Sequence, residues 1–156
     1  SRVATEVDDR LGDSGHELCG TAAIAQGRQA YTNFLDAFSG PRWEALAARG
    51  ARVQRPLWAS TGTKNPGYSD VLYVDELIGP DTVNTVPEAT LDAFLDHGSS
   101  ERTIDRDLAT TSAVLDRLSE ANIDLDDVAE KLEREGLASF EASFDEVIAA
   151  LVAKAN

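Results

Sequence analysis

Residues 60–67 read STGTKNPG and gather the chemistry-bearing groups most densely in this chain: the hydroxyls of Ser60, Thr61 and Thr63, the pliable backbone of Gly62 and the ammonium of Lys64. The flanking pattern puts them in a loop between a strand and a helix. Such a loop suits an anion, phosphate above all. Backbone N–H groups and the dipole at a following helix start favour negative charge, and ligands of parallel sheets collect at the carboxyl ends of strands. The loop is not a Walker loop, since Thr63 precedes the lysine where GxxxxGK[ST] requires glycine. The alternative is a plain polar turn with a solvated lysine.

Other chemistries find less support. The lysines are Lys64, Lys131 and Lys154, and the last two fall in acidic helical stretches. A Schiff-base lysine needs a desolvated pocket or a cationic neighbour to lower its pKa, and Lys64 among hydroxyls has neither. No catalytic residue is therefore assigned in this chain. His16 and His97 have no acidic or cysteine partner at metal-ligand spacing, so no metal is expected. No GxSxG elbow is present. The pairs Asp8–Asp9 and Asp126–Asp127 are adjacent, point apart on a regular element and read as solvated surface.

The elements that must position the loop follow from periodicity. Ile24, Tyr31, Phe34, Leu35 and Phe38 share one face of a helix over residues 21–39, and Trp43, Leu46 and Ala47 form a short helix closed by Gly50. Residues 51–60, with Val53, Leu57 and Trp58 around Pro56, read as a buried strand. After the loop, Leu72, Asp75, Glu76 and Gly79 sketch a short helix, and the β-branched run 82–86 is a strand. Pro87 starts a helix that turns Leu91, Phe94 and Leu95 inward and ends before Gly98. This alternation indicates α/β architecture with parallel strands. The remainder is helical: Ile104, Leu108, Thr111, Leu115 and Leu118, then Leu125, Val128 and Leu132 before Gly136, then Phe140, Phe144, Val147, Ile148 and Leu151. The last stripes are expected to pack on the parent domain, with a coiled-coil or docking surface as the alternative. No linker or repeat divides the chain.

Charge narrows the partners. Asp and Glu number 28 against 14 Lys and Arg, and the resulting −14 argues against nucleic acid, which is held by clustered cations. Residues 1–87 are net −3 and residues 88–156 net −11, so an anionic ligand is repelled least by the first part. No apolar run reaches the roughly 18 residues that span a bilayer, and no membrane partner is expected. The single Cys19 cannot form an internal disulfide and reads as a buried small hydrophobe in a cytoplasmic protein. Methionine is absent, and the opening Ser1-Arg2-Val3 reads as the continuation of a longer polypeptide.

The run QRPLWASTGTKNPGYSDVLYVDELIGPDTVNTVPEATLDAFLDHG over residues 54–98 resembles the C-terminal portion of bacterial transaldolases of the actinobacterial and cyanobacterial type. SRVATEVDDRL at the start and GTAAIAQGRQAY over residues 20–31 resemble the same family, so the likeness covers essentially the whole chain. The resemblance implies a class I (β/α)8 barrel that moves a dihydroxyacetone unit between sugar phosphates through a lysine Schiff base, without cofactor or metal. By position, Arg2 matches the phosphate-binding arginine at the end of the sixth strand and Ser60 the phosphate-binding serine at the end of the seventh. Where many members carry an arginine soon after that serine, Lys64 is the cation here, flanked by Thr61, Gly62 and Thr63. Residues 82–86 would be the eighth strand.

The family's Schiff-base lysine, its acid base and its first-strand aspartate all lie on strands that would precede Ser1. The chain is also shorter than the roughly 250 residues of a barrel. The fold class expected is thus α/β, about strands six to eight plus the C-terminal helices of a TIM barrel, as one domain over residues 1–156. Its partners would be sugar phosphates and the missing N-terminal portion of the barrel. Its activity would be that of a transaldolase in the pentose phosphate pathway, to which this chain brings the substrate-phosphate site and no Schiff-base lysine. A non-catalytic sugar-phosphate-binding or partner-binding module of the same ancestry is the alternative.

Overall fold

The computed structural model describes residues 1–12 and 17–155 and divides into two compact units, residues 1–123 and 124–156. Its order is α1 (Arg2–Leu11), α2 (Ala22–Ala37), α3 (Gly40–Ala47), β1 (Leu57–Trp58), α4 (Leu72–Asp75), β2 (Val83–Asn84), α5 (Glu88–His97), α6 (Leu108–Glu120) and α7 (Leu125–Ala155).

In the first unit, β1 and β2 pair in parallel, Leu57 opposite Val83 and Trp58 opposite Asn84. The ladder continues through Val83 N–H to Pro56 C=O at 2.9 Å and Thr85 N–H to Trp58 C=O at 3.0 Å. The core lies behind this pair, where Tyr31 of α2, Leu77 and Ile104 are buried together and Ile24, Phe34 and Trp58 pack on them. Trp58 enters through its indole N–H, which donates to the Leu77 carbonyl at 3.2 Å. An aromatic row extends from α2, with Phe34 5.2 Å from Phe38 and Phe38 edge-on to Trp43 at 4.7 Å. Arg28 of α2 pairs with Glu76 at 2.6 Å and so fixes α2 to the residue after α4.

Several expectations are corrected. The described residues hold two strands, and Arg2, expected at the end of a sixth strand, is the first residue of α1. The strand read over residues 51–60 shrinks to two residues, and Val53 and Leu57 are exposed, since β2 covers β1 along one edge only. The helix begun by Pro87 is present, but Leu91 and Leu95 face solvent and it is Thr90 that is buried. Leu35 is likewise exposed on α2. Cys19 is half-buried and not a core residue.

In the second unit, the stripes on either side of Gly136 belong to one 31-residue helix, α7. Leu137, Phe140, Phe144, Val147, Ile148 and Leu151 form one apolar stripe along α7, and all six are exposed. Although α7 is long, no described helix is long and apolar enough to cross a membrane.

Candidate functional site

The loop after β1 is held from both sides. At its start Ser60 adopts a left-handed conformation, φ 57°, and its carbonyl accepts from the Ser1 backbone nitrogen at 2.8 Å. That bond seats the first residue of α1, Arg2, beside the loop although 58 residues separate Arg2 from Ser60 in sequence. Thr61 is buried and its hydroxyl donates to the Asn84 carboxamide oxygen at 2.8 Å, so the loop is pinned to β2 as well. Gly62 lies against α5, where an added Cβ would meet the Thr90 hydroxyl at 3.2 Å and Pro87 at 3.4 Å.

Ser1, Arg2, Ser60 and Thr61 line one cavity of about 460 Å³, closed on its other side by α2 and by Tyr73 and Leu77. Lys64 lines a neighbouring cleft of about 160 Å³ with Asp8, Asp9, Asn65 and Tyr68. The Thr63 hydroxyl is buried with no hydrogen-bond partner. Of the six residues read from the sequence, the fold gathers Arg2, Ser60 and Thr61 around one cavity and sets Lys64 in the adjoining one. Thr61 has spent its single hydroxyl proton on Asn84, which leaves Thr63 and Ser60 as the hydroxyl donors and Gly62 as a backbone donor.

Sequence reasoning missed the residues that hold this arrangement. Asp8, read as solvated, is half-buried and accepts from Tyr68 O–H at 2.8 Å and from Gly20 N–H at 2.9 Å. Gly20 has φ +77°, and the Tyr68 ring lies 3.1 Å from where a Cβ would stand, so only glycine fits this latch. Its neighbour Asp9 is exposed, as are Asp126 and Asp127. Asn84 was the legible signal: asparagine is disfavoured in a β-branched strand unless its amide has a task. His97 lies on the surface between Asp70 and Asp96, and His16 lies outside the described residues.

Residues 1–151 match the family model for transaldolase/fructose-6-phosphate aldolase. The chain belongs to this family. It is 53% identical over 155 residues to the transaldolase of Acidothermus cellulolyticus, covering 97% of this chain and 42% of that protein. With the transaldolase of Saccharopolyspora erythraea it shares 52% identity over 151 residues, 95% of this chain and 41% of the relative. The Mycobacterium tuberculosis transaldolase is 49% identical over 154 residues, again 95% and 41%. The chain thus spans about two fifths of the length of these transaldolases.

Proposed function

We infer that this chain forms the C-terminal part of a transaldolase barrel and supplies the site for the substrate phosphate. The reaction would move a dihydroxyacetone unit from sedoheptulose 7-phosphate to glyceraldehyde 3-phosphate, giving erythrose 4-phosphate and fructose 6-phosphate, in the cytoplasm. The carbinolamine and Schiff base would form on a lysine outside these 156 residues. The observation that carries the reading is the Ser1–Ser60 contact, which brings the start of α1 with its arginine beside the STGTK loop in a member of this family.

In this reading the Arg2 guanidinium and the Lys64 ammonium flank the phosphate dianion, and the hydroxyls of Ser60 and Thr63 and the N–H of Gly62 donate to its oxygens. The buried Thr63 hydroxyl supports this, because an unpartnered buried donor is costly unless a ligand completes it. Thr61 contributes through Asn84, by fixing the loop's path.

Hydrogen bonds to a charged group contribute roughly 1.5–3 kcal/mol each. In the longer enzyme, Arg2→Ala or Lys64→Ala should therefore weaken phosphorylated substrates about tenfold to a hundredfold, with unphosphorylated fructose hardly affected. Equal losses of kcat/KM for fructose and fructose 6-phosphate would assign these residues to folding or to the chemical step instead. Borohydride treatment of the 156-residue chain with fructose 6-phosphate should trap no adduct; a stable adduct on Lys64 would overturn the phosphate role.

A further inference from the structure

A cavity of about 250 Å³ opens between α2 and α6, and no residue of the STGTKNPG loop lines it. Arg28 of α2 does line it, with a side chain only 13% exposed. One corner of its guanidinium bonds the Glu76 carboxylate at 2.6 Å, yet its Nε–H is buried with no hydrogen-bond partner. A buried donor on a charged group is costly to leave unmade, and nearly all such groups in folded proteins are completed. No described side chain or carbonyl reaches this one, so its partner must come from the cavity.

The other polar groups around the cavity are acceptors. The Thr110 hydroxyl donates to the Asp107 carboxylate, Thr21 to the Leu18 carbonyl at 2.7 Å and Thr111 to the Asp107 carbonyl at 3.5 Å. Each hydroxyl has one proton, so these three offer a ligand only lone pairs, as does the carboxylate of Glu76. A ligand must therefore accept from Arg28 and donate elsewhere. Charge decides its class. Arg28 faces two carboxylates: Glu76 directly, and Asp107, whose pKa is held low by bonds from Thr110 first and also by the Arg28 charge. A further anion would meet one negative charge in excess, and a cation would meet the guanidinium. Hydroxyl groups accept and donate without charge, and Ile24, Ala25 and Val114 supply an apolar wall for the carbon chain that bears them. We propose that the cavity between α2 and α6 binds a small uncharged polyol, one hydroxyl accepting from Arg28 Nε–H and its neighbours donating to the Glu76 and threonine oxygens. At about 30 Å³ per water the cavity has room for roughly eight, which suits a chain of about four or five hydroxylated carbons. The site is separate from the loop assigned to phosphate and does not depend on the transaldolase reading.

The test is a titration of the isotope-labelled 156-residue chain with xylitol, following the Arg28 Nε–H and the Val114 methyl groups by nuclear magnetic resonance. Polyols stabilise proteins unspecifically through exclusion from their surface, so a residue-resolved signal is needed in place of a melting point. The expected result is a saturable shift of both groups, with exchange of the Arg28 Nε proton slowed about tenfold or more. Val114→Trp fills the cavity from α6 and should weaken binding at least about tenfold. Ala113→Trp, exposed on the same helix and outside the lining, should leave it unchanged. Arg28→Lys keeps a cation for Glu76 but has no Nε–H, and it should lose affinity by a similar factor, read on the Val114 methyl groups. Circular dichroism shows that each variant folds; if Val114→Trp does not, Arg28→Lys carries the comparison. A shift that stays linear in xylitol would mean that water alone completes Arg28 and would overturn the proposal. So would unchanged affinity in either cavity variant, or displacement of xylitol by an equal concentration of isobutyrate, which would make the cavity an anion site.

Discussion

Asp8 shows how a residue's role can be opposite to what its sequence context suggests. An acidic pair at the end of a charged helix, Asp8–Asp9, has the signature of solvated surface, yet Asp8 ties α1 to Gly20 and to Tyr68 beyond the STGTKNPG loop. Nothing in the sequence announces this, because the partners are 12 and 60 residues away. Tyr68→Phe should cost about 1–3 kcal/mol in urea unfolding, since it leaves one side of a half-buried carboxylate without its donor; no change in the midpoint would show that the latch contributes nothing. The tyrosines make a second prediction. Burial first, and for Tyr68 the bond to Asp8 next, pushes Tyr68 far above its ordinary value of 10.0, and burial raises Tyr31 and Tyr73 as well. A raised folded-state pKa means stability that is intact below the unfolded value and lost as pH climbs past it. Tyrosinate absorbance should therefore appear together with unfolding, and a phenol titrating near its ordinary pH while the far-ultraviolet signal stays native would contradict this.

Elements were legible in proportion to how much of their own stabilisation is local. The helices followed from apolar spacing, and α5 kept the Pro87 boundary because proline fixes its own φ and the Gly98 boundary because an added Cβ there would run into the Phe94 ring. The strands were overestimated: a β-branched run can extend only where a neighbour pairs with it, and among the described residues β1 and β2 have one partner each. Gly136 did not end α7, since an interior glycine costs only about 1 kcal/mol against alanine. Connections between elements were invisible in the sequence and are now testable. Thr103 and Ile104 both donate to the Ile78 carbonyl, at 2.9 and 3.0 Å, holding Ile104 so close to Gly79 that an added Cβ would stand 2.1 Å from its Cγ2. Ile104 is fully buried, so Gly79→Ala should destabilise by about 1–3 kcal/mol, read as a lower urea midpoint. At the surface, His97 of α5 reaches Asp70 at 2.8 Å and Asp96 at 3.1 Å, and those two carboxylates raise its pKa above 6.5. The contribution is full below the unfolded pKa and fades as pH rises through the folded one. Relative to His97→Gln, the native protein should lose stability as pH rises past the ordinary histidine value of 6.5 and through the raised folded-state pKa; parallel curves for the two proteins would remove the histidine from the account.

For the molecule as a whole, the two units stand on different footings. Residues 1–123 contain a core of their own, centred on Tyr31, Leu77 and Ile104. The stripe Leu137, Phe140, Phe144, Val147, Ile148 and Leu151 on α7 is 44% to 79% exposed. A helix draws most of its stability from burying its apolar face, and contiguous apolar surface on a soluble chain is usually an interaction surface or an aggregation liability. Sequence could mark the stripe, because periodicity is local, but could not say whether it was covered, because coverage depends on surface from elsewhere. Two consequences separate local from shared stability. Amides over residues 137–151 should exchange faster than those of α2, whose Tyr31 sits in the core. Replacing Phe140 and Phe144 together by Glu should reduce self-association in sedimentation while leaving the main unfolding transition of the first unit in place, because neither side chain belongs to that core. If the double substitution instead lowers the main transition by the roughly 3–5 kcal/mol typical of deleting a buried phenylalanine, the stripe is packed in solution and the first unit depends on it.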